Sequence, residues 1–224
     1  LSEVQLSALD LYGRGLNVFP VPMPYEVIAY GADPMSKPPY IALPLYYSRM
    51  HVCGEDCRIH ESRTGHFCTP PEERFETLFD HANIAAMTGR TSGNLVCIDC
   101  DSAESFKAVL HGLKRRDLPY WAYSTHKGGG VLLRLYEGEA MNKPECRLKD
   151  VQIWGNRHYI VLPPSVHPQG TIYSWITPDP SSDLTKGQSV PIVSAYALDW
   201  IGVELTWVQK STSVGMDLNG LPSW

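Results

Sequence analysis

The 224 residues fit one large domain or two small ones and are enough to bury a proper core. A net charge of −5 argues against a protein that coats nucleic acid through bulk positive charge, although Lys107, Lys114, Arg115 and Arg116 leave scope for a local basic groove. No run approaches the roughly 18 apolar residues of a membrane span, and the N-terminus lacks the basic-then-apolar pattern of a secretion signal, so the expected location is cytoplasmic. The 18 prolines predict many fixed loops rather than long helices. The six cysteines, unevenly grouped, point to a metal site in a reducing compartment more than to disulfides.

In chain order, Val4, Leu6, Leu9 and Leu11, with Ser2 as N-cap and Gly13 as a stop, predict an amphipathic helix. Leu16 to Val21 reads as a strand, and the proline-rich stretch after it, which contains Lys37, reads as a loop. The segment from Cys53 to Cys68 then packs metal-ligand residue types together with almost nothing apolar between them. Zn²⁺ held by Cys53, Cys57, Cys68 and one of His60 or His66 would supply the stability that burial cannot, as a structural site with all four positions filled. The alternative is a loop with free thiols.

Between Pro70 and Ala82 a helix is expected with Phe75, Leu78 and Phe79 on its apolar face, followed by a buried strand from Asn83. The stretch Asn94 to Asp101 reads as a second buried strand, ending in acids at 99 and 101. Alternation along a strand puts Asp99 and Asp101 on one face, about 7 Å apart. Such a pair repels itself unless a cation sits between, and hard oxygen ligands suit Mg²⁺ or Mn²⁺. The plainer reading is that Asp101 caps the helix from Ser102 to about Arg116, whose apolar face is Phe106, Val109, Leu110 and Leu113.

Aromatic-rich Tyr120 to Thr125 and apolar Val131 to Tyr136 predict two strands around Lys127-Gly128-Gly129-Gly130. The glycines allow either a close approach of a ligand to the main chain or a simple hairpin. Two more strands, Val151 to Gly155 and His158 to Leu162, run into Pro163-Pro164-Ser165-Val166-His167-Pro168, where prolines hold Ser165 and His167 in a stiff loop. Ile192 to Ile201 reads as a last helix and residues 206–224 as a tail or linker, after a domain of residues 1–205 with an insertion at about 51–68. The mixture predicts an α+β domain with a mixed or antiparallel sheet flanked by helices.

Taken together, Asn83-Ile84, Gly89-Arg90-x-Ser92-Gly93, Asp99-x-Asp101, Thr125-x-x-Gly128-Gly129 and Pro163-Pro164-Ser165-x-His167-Pro168-x-Gly170-x-x-Tyr173-x-Trp175 make a set. It resembles the bifunctional primase-polymerase domain of the archaeo-eukaryotic primase superfamily. That resemblance implies an RRM-like sheet carrying a metal-dependent nucleotidyl transferase, which makes or extends primers on single-stranded DNA from nucleoside triphosphates. It implies Asp99 and Asp101 as ligands of Mg²⁺ or Mn²⁺, and Ser165 and His167 as contacts of the incoming nucleotide. Lys127 and Arg134 would lie near its phosphates, and Lys37 and the zinc-like segment lie where many relatives have similar features. A helicase region often follows such a domain.

The family usually has a histidine where this chain has Val131, and a third acid where it has Gln152. Asp150, two residues before Gln152, and His126, before the glycines, are the expected replacements. These departures keep open a primase-like domain that binds nucleotide or DNA without polymerising. A phosphohydrolase using the same acids is a third reading.

Overall fold

The computed structural model describes residues 1–23, 75–139, 141, 146–156, 158–177 and 188–201. Lys37, the Cys53 to Cys68 segment with His60 and His66, and residues 206–224 lie outside them.

The first helix, α1 (Glu3–Gly13), starts on a reciprocal capping box: Gln5 N–H donates to Ser2 Oγ at 3.3 Å and Ser2 N–H to Gln5 Oε1 at 2.6 Å. Its buried stripe is Gln5, Ala8 and Leu11, whereas Leu6 is exposed. The expected apolar stripe is therefore rotated, because Gln5 turns inward to donate from Nε2 to the Glu76 carbonyl at 2.5 Å. Strand β1 (Val18–Val21), the short helix α2 (Phe75–Leu78) and β2 (Asn83–Met87) follow. Next come β3 (Leu95–Cys100), α3 (Ala103–Arg115), β4 (Trp121–Ser124) and β5 (Gly129–Leu135). The remaining strands are β6 (Val151–Trp154), β7 (Tyr159–Leu162), β8 (Ser174–Thr177) and β9 (Ile192–Val193). A 3-10 helix, Ala195–Ile201, closes the described chain, so the last helix expected from residue 192 is a two-residue strand and a 3-10 segment. Ile192 and Val193 are drawn into parallel pairing with Arg134 and Leu135, a long-range partner that periodicity does not reveal.

The strands form two sheets where one was expected. The smaller has the order β1-β2-β7 and the larger β6-β3-β5-β4-β8, all antiparallel, with β9 added beside β5. Alternation along β3 divides the core. Val96, Ile98 and Cys100 face α3 through Phe106, Val109 and Leu113, together with the closing 3-10 helix. Leu95 and Cys97 face the opposite way, into a second core with α1, α2 and the smaller sheet. Asp99 and Asp101 continue this second face where β3 runs out of the apolar layer. No helix among the described residues is long and apolar enough to cross a membrane.

Candidate active site

Strand register sets the site. Asp99 pairs with Gly130 on β5 and with Gln152 on β6, Gly130 pairs with Tyr123 on β4, and Tyr123 pairs with Trp175 on β8. Directly paired residues point to the same side of a sheet, so Gln152, Asp99, Gly130, Tyr123 and Trp175 make one row across it. Asp99 is half-buried and Asp101, just beyond the strand, is exposed. Ser102 caps α3 immediately after them, its Oγ accepting from Ser105 N–H at 3.2 Å. The helix cap is therefore Ser102, and Asp101 is left to the acid pair. Cys100, between the acids, points into the α3 core; burial, with Asp99 adding, pushes its thiol up to about 12, so it stays a neutral thiol.

Strand β6 supplies neutral donors to both carboxylates. Gln152 Nε2 donates to Oδ2 of Asp101 at 3.3 Å, and Trp154 Nε1 donates to Oδ2 of Asp99 at 3.1 Å. Asp150 behaves differently from the expectation that it shares the face of Gln152. It precedes β6 with a φ of 57°, and its carbonyl accepts from Asp101 N–H at 2.8 Å and from the Ser105 hydroxyl at 3.3 Å. A left-handed residue interrupts the alternation, so side-chain facing at 152 does not carry back to 150. Among the described residues no group of three or more His, Cys, Asp or Glu side chains comes together to hold a metal, so Asp150 does not complete a three-acid cluster.

A second cluster lies on the β4–β8 side. His126 and His167 stack with ring centroids 4.6 Å apart and 9° between planes, and His126 Nδ1 is 2.7 Å from Thr171 Oγ1. Tyr173 lies 6.3 Å from His167 and 6.3 Å from Tyr123, centroid to centroid. Burial, with Asp99 adding, pushes the Tyr173 phenol up to about 12. The His167 imidazole is held below its usual range by burial, with His126 and Lys127 adding. It is therefore neutral at pH 7, with Nδ1 accepting from Gln169 N–H at 3.2 Å. Lys127 is exposed at the tip of the β4–β5 turn beside this pair.

Ser165 is committed to the protein itself. Its hydroxyl accepts from Ile84 N–H at 2.9 Å and lies 3.2 Å from the Ile84 carbonyl, and the residue is 1% exposed. Asn83 clamps the next residue, its amide bonding both Val166 N–H at 2.8 Å and the Val166 carbonyl at 3.0 Å. The loop is thus stitched to β2, and His167 is the member that emerges from it.

Arg134 lies towards the other end of β5 from Gly130, which pairs with Asp99. It pairs with Leu95, four residues along β5 from Gly130, or about 13 Å. Its Nη2 donates to the carbonyls of Arg14 and Gly15 at 2.9 and 3.0 Å, so it joins β5 to the α1–β1 turn. Val131 is fully buried in the α3 core, so a histidine at 131 would lie on the sheet face opposite the acids. The glycines serve close packing. A Cβ at 130 would lie 2.4 Å from the Tyr123 ring, and one at 128 would lie 2.0 Å from the Cys100 carbonyl oxygen. Trp154, Tyr123 and Thr171 join the site without having been singled out in the sequence. The two-residue spacing of Gln152 and Trp154 was the available signal for the first.

The ligand atoms gathered at the acids are the hard oxygens of two carboxylates, with the Gln152 amide N–H already given to Asp101. That set fits Mg²⁺ or Mn²⁺, which bind through one or two carboxylates and complete their shell with water and substrate phosphate oxygens. A family model described as the N-terminal domain of bifunctional DNA primase/polymerase matches residues 8–191. No curated protein matches the chain.

Proposed function

The chain belongs to the bifunctional DNA primase/polymerase N-terminal domain family over residues 8–191, and on that premise we propose that it is a metal-dependent nucleotidyl transferase acting on a single-stranded DNA template. The observation that carries the reading is the pair Asp99 and Asp101, on one sheet face at the outer end of β3, each accepting from a neutral donor of β6. Both donors are neutral groups that orient the carboxylates.

In this reading Asp99 and Asp101 hold Mg²⁺ or Mn²⁺, and Gln152 orients Asp101 from the adjoining strand. The bound ion would activate the primer 3′-hydroxyl and neutralise triphosphate charge. Neutral His167, stacked on His126, presents an uncharged polar edge to the incoming nucleoside triphosphate, while Lys127 supplies positive charge beside it. Lys37 remains a further proposed nucleotide contact and the Cys53 to Cys68 segment a proposed structural zinc site. A helicase region or protein is a proposed partner.

Incorporation of labelled nucleotide on single-stranded template, primed and unprimed, with Mg²⁺ or Mn²⁺, tests this. Synthesis is expected from the parent chain and is expected to vanish in Asp99→Ala with Asp101→Ala. Synthesis that persists in that double variant would defeat the reading. Gln152, standing directly across from Asp99, favours a second reading: a domain that binds nucleotide or DNA without polymerising. Tight nucleotide binding with no incorporation in the same assay would select it.

A further inference from the structure

Trp154 lies two residues from Gln152 on the same face of β6, at the level of Cys97. From there its indole reaches diagonally, two residues further along β3, to Oδ2 of Asp99 at 3.1 Å. Gln152 repeats the same reach one step on: from the level of Asp99 it bonds Oδ2 of Asp101 at 3.3 Å. An edge strand thus presents neutral donors at the spacing of the acids. The Trp154 ring packs against His158 with centroids 4.7 Å apart. A carboxylate with one oxygen held by a donor presents the other in a narrower range of directions, and partners that orient a ligand in this way set metal affinity.

We propose that Trp154 is a positioning residue whose indole N–H fixes the Asp99 carboxylate and thereby tightens divalent cation binding. The inference rests on the reading of Asp99 as a metal ligand. It assigns Trp154 no contact with nucleotide or template. Its consequence is a metal affinity that depends on a hydrogen-bond donor at position 154 rather than on the bulk of the ring.

The test is Mn²⁺ binding to the full chain, without nucleotide or DNA, followed by the paramagnetic resonance of free Mn²⁺. Asp99→Ala marks the loss of the site. Trp154→Phe keeps an aromatic ring and removes the donor; Trp154→Gln removes the ring and restores an amide N–H at the reach already used by Gln152. Trp154→Phe is expected to weaken Mn²⁺ binding by about tenfold or more, and Trp154→Gln to recover most of that loss. Thermal unfolding of each variant establishes that it is folded. Mn²⁺ affinity unchanged in Trp154→Phe, or equally weakened in both variants, overturns the inference, as does Mn²⁺ binding that ignores Asp99→Ala. If Trp154→Phe does not fold, Trp154→Gln decides alone: near-parental affinity supports the proposal and a tenfold loss ends it. Run beside the incorporation assay, the outcomes separate. Mn²⁺ bound through Asp99 with no DNA made defeats the polymerase reading only, whereas DNA synthesis with unaltered Mn²⁺ affinity in Trp154→Phe defeats this inference only.

Discussion

Ser165 has both of its hydrogen-bonding roles taken by one backbone residue, Ile84, in a site almost closed to solvent. Removing the hydroxyl leaves the Ile84 N–H without its acceptor, and a buried polar group deprived of its partner costs about 1–3 kcal/mol. Ser165→Ala is therefore expected to lower stability in urea by that amount while leaving nucleotide binding per folded molecule unchanged. A specific loss of nucleotide affinity at unchanged stability would return Ser165 to the ligand. The sequence shows that prolines make this loop stiff, but stiffness carries no information on which polar group turns inward. The same limit explains Arg134, whose charge was legible but whose place at the far end of β5 depends on strand register. Asp99 and Asp101 were legible because a two-residue spacing at the end of an apolar strand defines a face by itself. Asp150 was placed on the face of Gln152 by spacing alone, and its positive φ breaks that alternation.

At the scale of elements, β3 and α3 emerge where alternation and helical spacing put them, with a cap at Ser102 to mark the boundary. The β4–β5 turn was legible as a glycine hairpin, but not what the glycines admit. Gly128 lies against the main chain of β3, where an added Cβ would meet the Cys100 carbonyl oxygen at 2.0 Å and the Ser102 carbonyl oxygen at 2.9 Å. Both atoms are backbone and cannot swing aside as a side chain would. Gly128→Ala must push the turn off the end of β3, and Cys100 is flanked by the two acids. The expected result is a loss of about 1–3 kcal/mol from overpacking, accompanied by weaker Mn²⁺ binding. Gly13, at the end of α1 with nothing within 4 Å of an added Cβ, is the control. Gly13→Ala is expected to change neither property adversely, so paired melting and Mn²⁺ titrations isolate the turn. Equal behaviour of the two variants would mean that the turn does not brace the acids.

For the whole molecule, the larger sheet is shared by two cores that lie on its opposite faces. Leu132 and Leu133 are consecutive on β5, both fully buried, yet Leu132 packs with α1, α2 and the smaller sheet while Leu133 packs with α3. Composition and periodicity foretold an α+β domain with a substantial core. They gave no sign of the division into two sheets, because the pairing of β2 with β1 and β7 joins segments far apart in the chain. Since β5 also pairs with β3, β4 and β9, neither core can lose its sheet without exposing the other. Leu132→Ala and Leu133→Ala should each cost about 2–5 kcal/mol, the usual loss for a buried leucine. Both should do so within one cooperative transition. Far-UV circular dichroism and tryptophan fluorescence, recorded together in denaturant, should give coincident midpoints for the parent chain and both variants. Divergent midpoints in Leu133→Ala, with helix signal lost before the tryptophan environment changes, would show that the α3 layer unfolds on its own. The acids stand on the strand common to both layers, so coincidence has a functional corollary: either leucine variant should lose Mn²⁺ binding only as it unfolds, and at the same denaturant concentration.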